Sequence, residues 1–422
     1  MKVELKPKTA TFEAKPGEVK KCVLLFSGGL DTSCMLKWIQ ENYGCEMVTL
    51  TLDVGQTKKD LSKIKENALK FGAKKAYIID VKKEFADNYV AKAIKANALY
   101  EDAYPLGTAI ARPLQSIWAV KIAEQENADC IAHGCSGKGN DQVRFDTALT
   151  TLNPKLKIIA PVREWDMARD EEIEYAKENG ISVPNHNSSY SIDENLWGRS
   201  VECGIIEHPD KEVPEDALVW ITNPLNAPNT PEYVTLEFEK GIPVSLNGNK
   251  MELWQLITGL NKIAGKHGVG IIDHMEDRIV GLKSREFYEY PAATVILKAH
   301  KDLEKYVSTI HENLFKPIID QKWAFMAYAG LWTDPLMKEL NAFIDAMNKK
   351  VTGTVKLKIY KGNVYIASRK SKYALYDLNL ATYDKGQLFN QAASPGFIEL
   401  WGLQTKMSNI ILNGDKDEIV EQ

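Results

Sequence analysis

Short runs of aliphatic and β-branched residues alternate with longer segments of helical period through the first half of the chain. The runs are 22–26 (CVLLF), 47–53 (MVTLTLD), 76–81 (AYIIDV), 129–133 (DCIAH) and 157–162 (KIIAPV). Between and after them the pattern predicts helices near 31–42, 58–70, 82–99, 108–126 and 168–179. In the first of these, Leu30, Cys34, Met35, Trp38 and Ile39 recur at the spacing that gathers apolar side chains on one helix face. Strands that alternate with helices predict a parallel sheet covered on both faces.

That order ends near Pro184. The stretch NHNSSYSIDENLWGRSVECG is polar and turn-rich. Two strands, Tyr233–Lys240 and Ile242–Leu246, are predicted around a turn at Gly241, and Val355–Tyr360 with Asn363–Ser368 around Lys361-Gly362 predicts a hairpin. The second half therefore reads as a separate α+β domain. From about Lys385 the chain is apolar with few partners nearby in sequence, which suits an arm that docks on another subunit. The boundaries are an extension over 1–20, a parallel-sheet domain over 21–186, an α+β domain over 187–384 and a C-terminal arm over 385–422.

Composition narrows the class without naming the chemistry. The 422 residues suit two or three domains, and 44% hydrophobic with 26% charged residues is ordinary for globular proteins, which disfavours disordered, collagen-like and coiled-coil classes. Fifty-three basic against 57 acidic residues give a net charge of -4. That balance argues against a general nucleic-acid binder but leaves room for a local anion site. No apolar run approaches the roughly 20 residues of a membrane-spanning helix; the nearest candidate, Trp323 to Trp332, is short and contains Gly330. The N-terminus has no apolar core of a secretory signal, and it lacks Arg and carries Glu4, Glu13 and Glu18, unlike a transit peptide. Six cysteines without a CxxC pair predict reduced thiols in a cytoplasmic protein, and no Cys/His set is spaced for structural zinc.

The chemistry lies in two glycine loops. Ser27-Gly28-Gly29-Leu30-Asp31-Thr32-Ser33 joins the first run to the first helix. Adjacent glycines bring backbone N–H groups close to a ligand, the helix start adds unsatisfied N–H groups and a positive dipole end, and the hydroxyls add donors. The result is a phosphate cradle that is neither a P-loop nor a GxGxxG turn. The bland alternative is a tight turn with an Asp or Thr helix cap. The second loop, HGCSGKGNDQVRF (133–145), follows the fourth run, so both loops are expected at one edge of the sheet. Asp141 and Arg144 would share a helix face there and suit a zwitterionic ligand; the bland alternative is a surface ion pair.

SGGLDTS resembles the pyrophosphate loop of the N-type ATP pyrophosphatases. With HGxxGKGNDQVRF, ALYEDAYPLGTAIARP (98–113), SIDENLWGRS (191–200), APNTPE (227–232), AGKHGVG (264–270) and EDRIVGLKSREFYE (276–289), the chain resembles the argininosuccinate synthase family from about residue 21 onward. The resemblance implies an α/β fold: a nucleotide-binding domain of the ATP pyrophosphatase kind, an α+β synthetase domain and a C-terminal oligomerisation arm. It implies an ATP-dependent ligase that joins citrulline and aspartate through citrullyl-AMP and releases AMP and pyrophosphate, with Mg²⁺ on the phosphates. A homotetramer is also implied.

Carried over by position, Leu25, Phe26, Ser27, Gly28, Gly29, Leu30, Asp31, Thr32, Ser33, Leu52 and Gly134 fall at ATP contacts. Ser136, Asn140 and Asp141 fall at aspartate contacts, with Ser136 where Thr is frequent. Tyr104, Ala109, Asn140, Arg144, Ser191, Ser200, Glu276 and Tyr288 fall at citrulline contacts. Ala109 stands where some members have Ser, so a contact there requires backbone. Taken alone, Tyr104 and Tyr288 suit a half-buried core, Ser191 and Ser200 turns, and Glu276 a solvated surface. Lys138 suits a phosphate contact, and His133 equally suits a hydrogen-bonded strand end. Two other functions fit parts of the pattern: a sulfur-transferring, tRNA-modifying pyrophosphatase, which needs a reactive cysteine such as Cys135, and a non-catalytic adenine-nucleotide sensor, which needs only the first loop. Neither membrane nor nucleic acid is an expected partner of the ligase.

Overall fold

The computed structural model describes residues 8–57, 60–165, 167, 169–181, 190–382, 388 and 390–413. The chain forms two compact units, Met1–Tyr373 and Ala374–Gln422.

Five parallel strands open the first unit: β1 (Lys21–Leu25), β2 (Glu46–Asp53), β3 (Lys75–Asp80), β4 (Cys130–Ala132) and β5 (Lys157–Ile159). They lie in the order β3-β2-β1-β4-β5. Helices α1 (Leu30–Tyr43), α2 (Leu61–Lys70) and α3 (Gly107–Glu126) lie between them and α5 (Arg169–Glu178) follows β5, as the alternation predicts, whereas α4 (Asn140–Leu152), between β4 and β5, is absent from the predicted helices. The six central residues of β2 are all buried, as a sheet covered on both faces requires. One apolar cluster holds Cys34, Met35, Trp38 and Ile39 of α1, and another holds Val48 and Leu50 of β2.

Two local differences from the periodic reading have physical causes. The fifth run stops at Ile159, because Pro161 opens a helical turn over Pro161–Glu164, where its fixed φ and missing N–H are no cost. The helix predicted near 82–99 ends at Lys95 and contains a π-type stretch over Ala86–Val90. Beyond it, Asn97, Glu101, Asp102 and Leu106 all have positive φ, so the segment that leads into α3 is a sequence of tight turns.

The N-terminal extension lies along β5. Ala14 N donates to Ile158 O at 3.0 Å, Ile158 N donates to Phe12 O at 2.9 Å, and Glu13 and Ile158 form a parallel bridge. The edge of the sheet is thereby covered.

The remaining elements of this unit are β6 (Ser191–Asn195), β7 (Gly198–Glu202), β8 (Glu232–Glu239), β9 (Ile242–Leu246), β10 (Asn249–Lys250), α6 (Leu253–Lys266), β11 (Ile271–Asp277), β12 (Lys283–Glu289), α7 (Pro291–Val307), α8 (Ile310–Tyr328), α9 (Pro335–Asn348), β13 (Gly353–Tyr360) and β14 (Asn363–Lys370). They form two antiparallel sheets, β11-β12-β7-β6 and β10-β9-β8-β13-β14. Both predicted hairpins are present in the second. Lys361 and Gly362 have φ of 43° and 78°, the two left-handed residues that a two-residue turn between twisted strands favours. The core is shared: Val48 and Leu50 of the parallel sheet belong to the same cluster as Tyr290, Trp323 and Leu357.

In the second unit, α10 (Ser394–Asn413) has no buried residue, and Phe397, Leu400, Trp401 and Leu412 are exposed. No helix among the described residues is long and apolar enough to cross a membrane.

Candidate active site

β1 and β4 are neighbours in the centre of the parallel sheet, and the connections run outward from them in opposite directions. Such a reversal leaves a crevice at the carboxyl ends of the strands, and the two glycine loops leave β1 and β4 at that point.

In the first loop, Gly28 has φ of 74°, and a Cβ there would come within 2.7 Å of Ile64 Cγ1. Only glycine therefore fits without displacement. Gly29 caps α1 with no side-chain hydrogen bond, so the Asp or Thr cap of the bland alternative is not formed. The hydroxyls instead brace the loop: Ser33 Oγ donates to Gly29 O at 2.8 Å, and the hydroxyls of Ser27 and Thr32 lie 3.2 Å apart. Leu25 ends β1 and is half-buried, as is Leu30. Asp31 is exposed in the first turn of α1. Phe26 is buried and tied to β2, its N–H donating to Leu50 O and its O accepting from Thr51 Oγ1; Leu52 is buried near the end of the same strand.

The second loop is anchored by His133, the hydrogen-bonded strand-end histidine of the bland alternative. Its Nδ1 accepts from Cys135 N at 3.2 Å and its Nε2 lies 2.7 Å from Asp146, which also binds Arg163. Gly134, Ser136 and Lys138 are exposed. Gly139 caps α4, again without a side-chain hydrogen bond. Two helices thus present N-termini without side-chain caps at one sheet edge, an arrangement that favours anions.

Asp141, in the first turn of α4, is gripped from two sides. Arg144 Nη1 donates to one oxygen at 2.8 Å, and Arg112 Nε and Nη2 donate to the other at 3.0 and 2.6 Å. Arg112 also pairs with Asp193 of β6. Burial acts to raise the Asp141 pKa, but the two guanidiniums prevail and hold it well below the usual carboxylate range. The ion pair offered as the bland alternative exists, as part of a three-element network. Arg144 is 4% exposed; its Nε donates to Tyr328 O at 2.8 Å, and its Nη2 is buried with no hydrogen-bond partner among the described residues. A buried guanidinium N–H without an acceptor is costly, and an anionic group of a ligand would satisfy it.

Opposite lies a wall of tyrosines. Tyr104 and Tyr288 are both buried and stack with centroids 4.5 Å apart at 13°. The first-turn N–H groups of α3 are used by this wall: Gly107 N donates to Tyr290 Oη at 3.2 Å and Thr108 N to Tyr104 Oη at 3.1 Å, with Ala109 next and fully buried. Ser200 of β7 pairs in register with Tyr288, and its hydroxyl lies 3.4 Å from that of Thr108. Glu276, only 2% exposed, is not a surface carboxylate: Tyr288 Oη donates to it at 2.6 Å and Tyr328 Oη donates to its other oxygen. Burial raises its pKa and the two phenol donors act against that rise. Asn140 is buried, with Nδ2 donating to Tyr328 Oη at 2.8 Å and Oδ1 accepting from Ile279 N at 2.9 Å.

The structure thus gathers Tyr104, Asn140, Asp141, Arg144, Glu276 and Tyr288, with Ser200 beside them. Ser191 stands apart, exposed at the start of β6 and paired in register with Glu202. Sequence reasoning did not single out Arg112, Asp193, Tyr100 or Tyr328. Arg112 lies inside ALYEDAYPLGTAIARP, so a polar residue in an apolar helix was the available signal. Cys135 is half-buried, and burial pushes its thiol pKa up, the opposite of what a sulfur-transfer nucleophile needs.

A parallel sheet with two glycine loops at its reversal point, followed by helix N-termini without side-chain caps, defines a nucleotide-binding α/β protein joined to an antiparallel-sheet domain. Residues 21–182 match the model described as the arginosuccinate synthase N-terminal HUP domain, and residues 190–408 match the one described as the arginosuccinate synthase C-terminal domain. The chain is 55% identical over 394 residues to argininosuccinate synthase from Pyrococcus furiosus, covering 93% of this chain and 95% of that one. It is 53% identical to the Oceanobacillus iheyensis argininosuccinate synthase (93% and 94% covered) and 51% identical to that of Symbiobacterium thermophilum (92% and 97%). The chain belongs to the argininosuccinate synthase family.

Proposed function

We infer that this chain is the ATP-dependent ligase that condenses L-citrulline and L-aspartate to argininosuccinate in arginine biosynthesis. Family membership supports the overall reaction, and the observation that carries the substrate reading is the buried Arg144 Nη2 facing no acceptor, with the buried Glu276 in the same group. A cation and a carboxylate held together match the two charged ends of an amino acid. Asn140, Asp141 and Ser136, at the start of α4 and in the loop before it, are assigned to aspartate. The first loop, Leu52 and Gly134 are assigned to ATP, and Tyr104, Ala109, Asn140, Arg144, Ser191, Ser200, Glu276 and Tyr288 to citrulline.

In the first step the citrulline ureido oxygen attacks the α-phosphorus, and the bond to the β-phosphate breaks to release pyrophosphate. In the second the aspartate amine attacks the ureido carbon, loses a proton and expels AMP. The protein's part is positioning and charge stabilisation: the helix N-termini face the phosphates, and the ion-paired and hydrogen-bonded wall fixes the amino acids. Oxygen donors of the right kind for Mg²⁺ stand at the first loop, the Asp31 carboxylate and the Ser27 and Thr32 hydroxyls. Mg²⁺ bound to phosphate oxygens there would offset the charge on the leaving pyrophosphate.

Nucleotide analysis after incubation with ATP, citrulline and aspartate tests the reaction. AMP and pyrophosphate in equal amounts are expected; ADP as the sole nucleotide product would overturn it. We further propose a cytoplasmic homotetramer in which the exposed apolar face of α10 docks on another subunit. A chain ending near residue 385 is then expected to sediment as a smaller species, and an unchanged size would remove the arm from the assembly.

A further inference from the structure

Tyr328, the last residue of α8, touches both amino-acid subsites assigned above. Its hydroxyl has one proton, which goes to the Glu276 carboxylate; the carbonyl of Asp277 is a longer alternative at 3.2 Å. The same oxygen accepts from Asn140 Nδ2 at 2.8 Å. Its backbone O holds Arg144 Nε at 2.8 Å, its ring lies 4.8 Å from the Arg144 guanidinium, and the opposing ring of Tyr100 stacks at 3.5 Å and 8°. Gly330, two residues on, makes this approach possible: φ is 74° there, and a Cβ would come within 2.7 Å of Arg144 Cα.

We propose that Tyr328 is a positioning residue that couples the two amino-acid subsites, one hydroxyl holding Glu276, assigned to citrulline, and Asn140, assigned to citrulline and aspartate both. This rests on the substrate assignments above. The hydrogen-bond direction follows from chemistry: an amide N–H donates into the phenol oxygen, and the phenol proton completes the chain on a carboxylate, so each link polarises the next. Glu276 is faced by Tyr288 and Glu286 from β12, by Arg144 from α4, by Tyr328 from α8, and by Tyr100 and Tyr104 from the segment before α3. Tyr288 and Tyr328 donate to it and Arg144 attracts its negative charge, while Glu286 repels it.

Tyr328→Phe keeps the ring and its stacking but removes the hydroxyl. Glu276 then loses one of two donors, and its carboxylate form is lost at a higher pH as pH falls. The acidic limb of kcat/KM for citrulline is expected to move up by about one pH unit, the scale of one charge-assisted hydrogen bond. The aspartate KM is expected to rise about tenfold as Asn140 loses its acceptor, with the ATP KM unchanged. Tyr288→Phe removes the other donor without touching Asn140, so it should move the limb and leave the aspartate KM alone. A stationary limb in Tyr328→Phe, or equal aspartate effects in the two variants, would overturn the coupling. So would a uniform rise in all three KM values with a lowered Tm, the mark of a purely structural role. These outcomes presuppose a wild type that releases AMP; a wild type that releases none overturns the functional reading and this inference with it.

Discussion

Under the proposed assignments the first glycine loop faces an anion and the tyrosine–arginine wall a zwitterion, and the two surfaces are made of different material. The loop is seven consecutive residues whose proposed recognition element is backbone, set by one left-handed glycine and one helix start without a side-chain cap. The wall is made of side chains from α3, α4, β11, β12 and α8, and its charges are paired with one another except at Arg144 Nη2, which no described residue satisfies. A backbone site tolerates little change at one or two positions. A side-chain site distributes its tolerance unevenly, and its most expensive members are those buried with a charge.

The largest effect is expected at Arg144. Arg144→Ala removes the open Nη2, one of two cations on Asp141 and the bond to Tyr328 O. Breaking a buried charge network costs about 3–5 kcal/mol, so kcat/KM for citrulline should fall by a factor of hundreds to thousands. ATP binding, measured by calorimetry, should barely change, because the first loop does not depend on this network. Equal losses for both ligands would erase the distinction between loop and wall.

Gly28→Ala tests the other side. The left-handed backbone and the Ile64 contact together oppose a Cβ, and about 1–2 kcal/mol of strain translates into a five- to thirtyfold weaker interaction with ATP. Citrulline KM at saturating ATP should stay within about twofold, since strain at a loop is local. An ATP KM that does not move would mean that the loop relaxes freely, and the backbone account of this site would fail.

The same contrast explains what was legible in the sequence. Strand runs, the α1 stripe, both hairpins and both glycine loops depend on residues close together in the chain, and local periodicity or turn chemistry exposes them. The resemblance supplied Glu276 and Tyr288, which no spacing links to Arg144. Tyr328 lay beyond both signals. Its segment, AFMAYAGLW, reads as an ordinary apolar helix end, and its role exists only because α8 ends against α4. Arg112 was hidden in another way: it sits within a recognisable motif but acts on Asp141, 29 positions away. Long-range pairing of charges follows from the fold rather than from pattern.

The smallest effect on activity is expected at the N-terminal extension, for which sequence offered no account. Here the structure supplies a mechanical one. Phe12 and Ala14 take the backbone groups of Ile158 on the edge strand, and Lys8 pairs at 2.5 Å with Glu164, a buried carboxylate that also accepts from Tyr43 Oη at 2.6 Å. Removing residues 1–16 would expose the β5 edge and leave Glu164 without its cation. Losing two backbone bonds and one partly buried pair should cost about 2–4 kcal/mol of stability, read as an earlier unfolding midpoint in urea. The first glycine loop does not touch this edge, because β4 lies between β5 and β1, and the second meets β5 only past the residue that the extension holds, where His133 N donates to Ile159 O. KM for ATP and for citrulline should therefore stay within about twofold, the range in which a remote surface change usually falls. Weakened ATP binding would show that the sheet transmits edge strain to its centre, and that the cradle is less self-contained than its local hydrogen bonds imply.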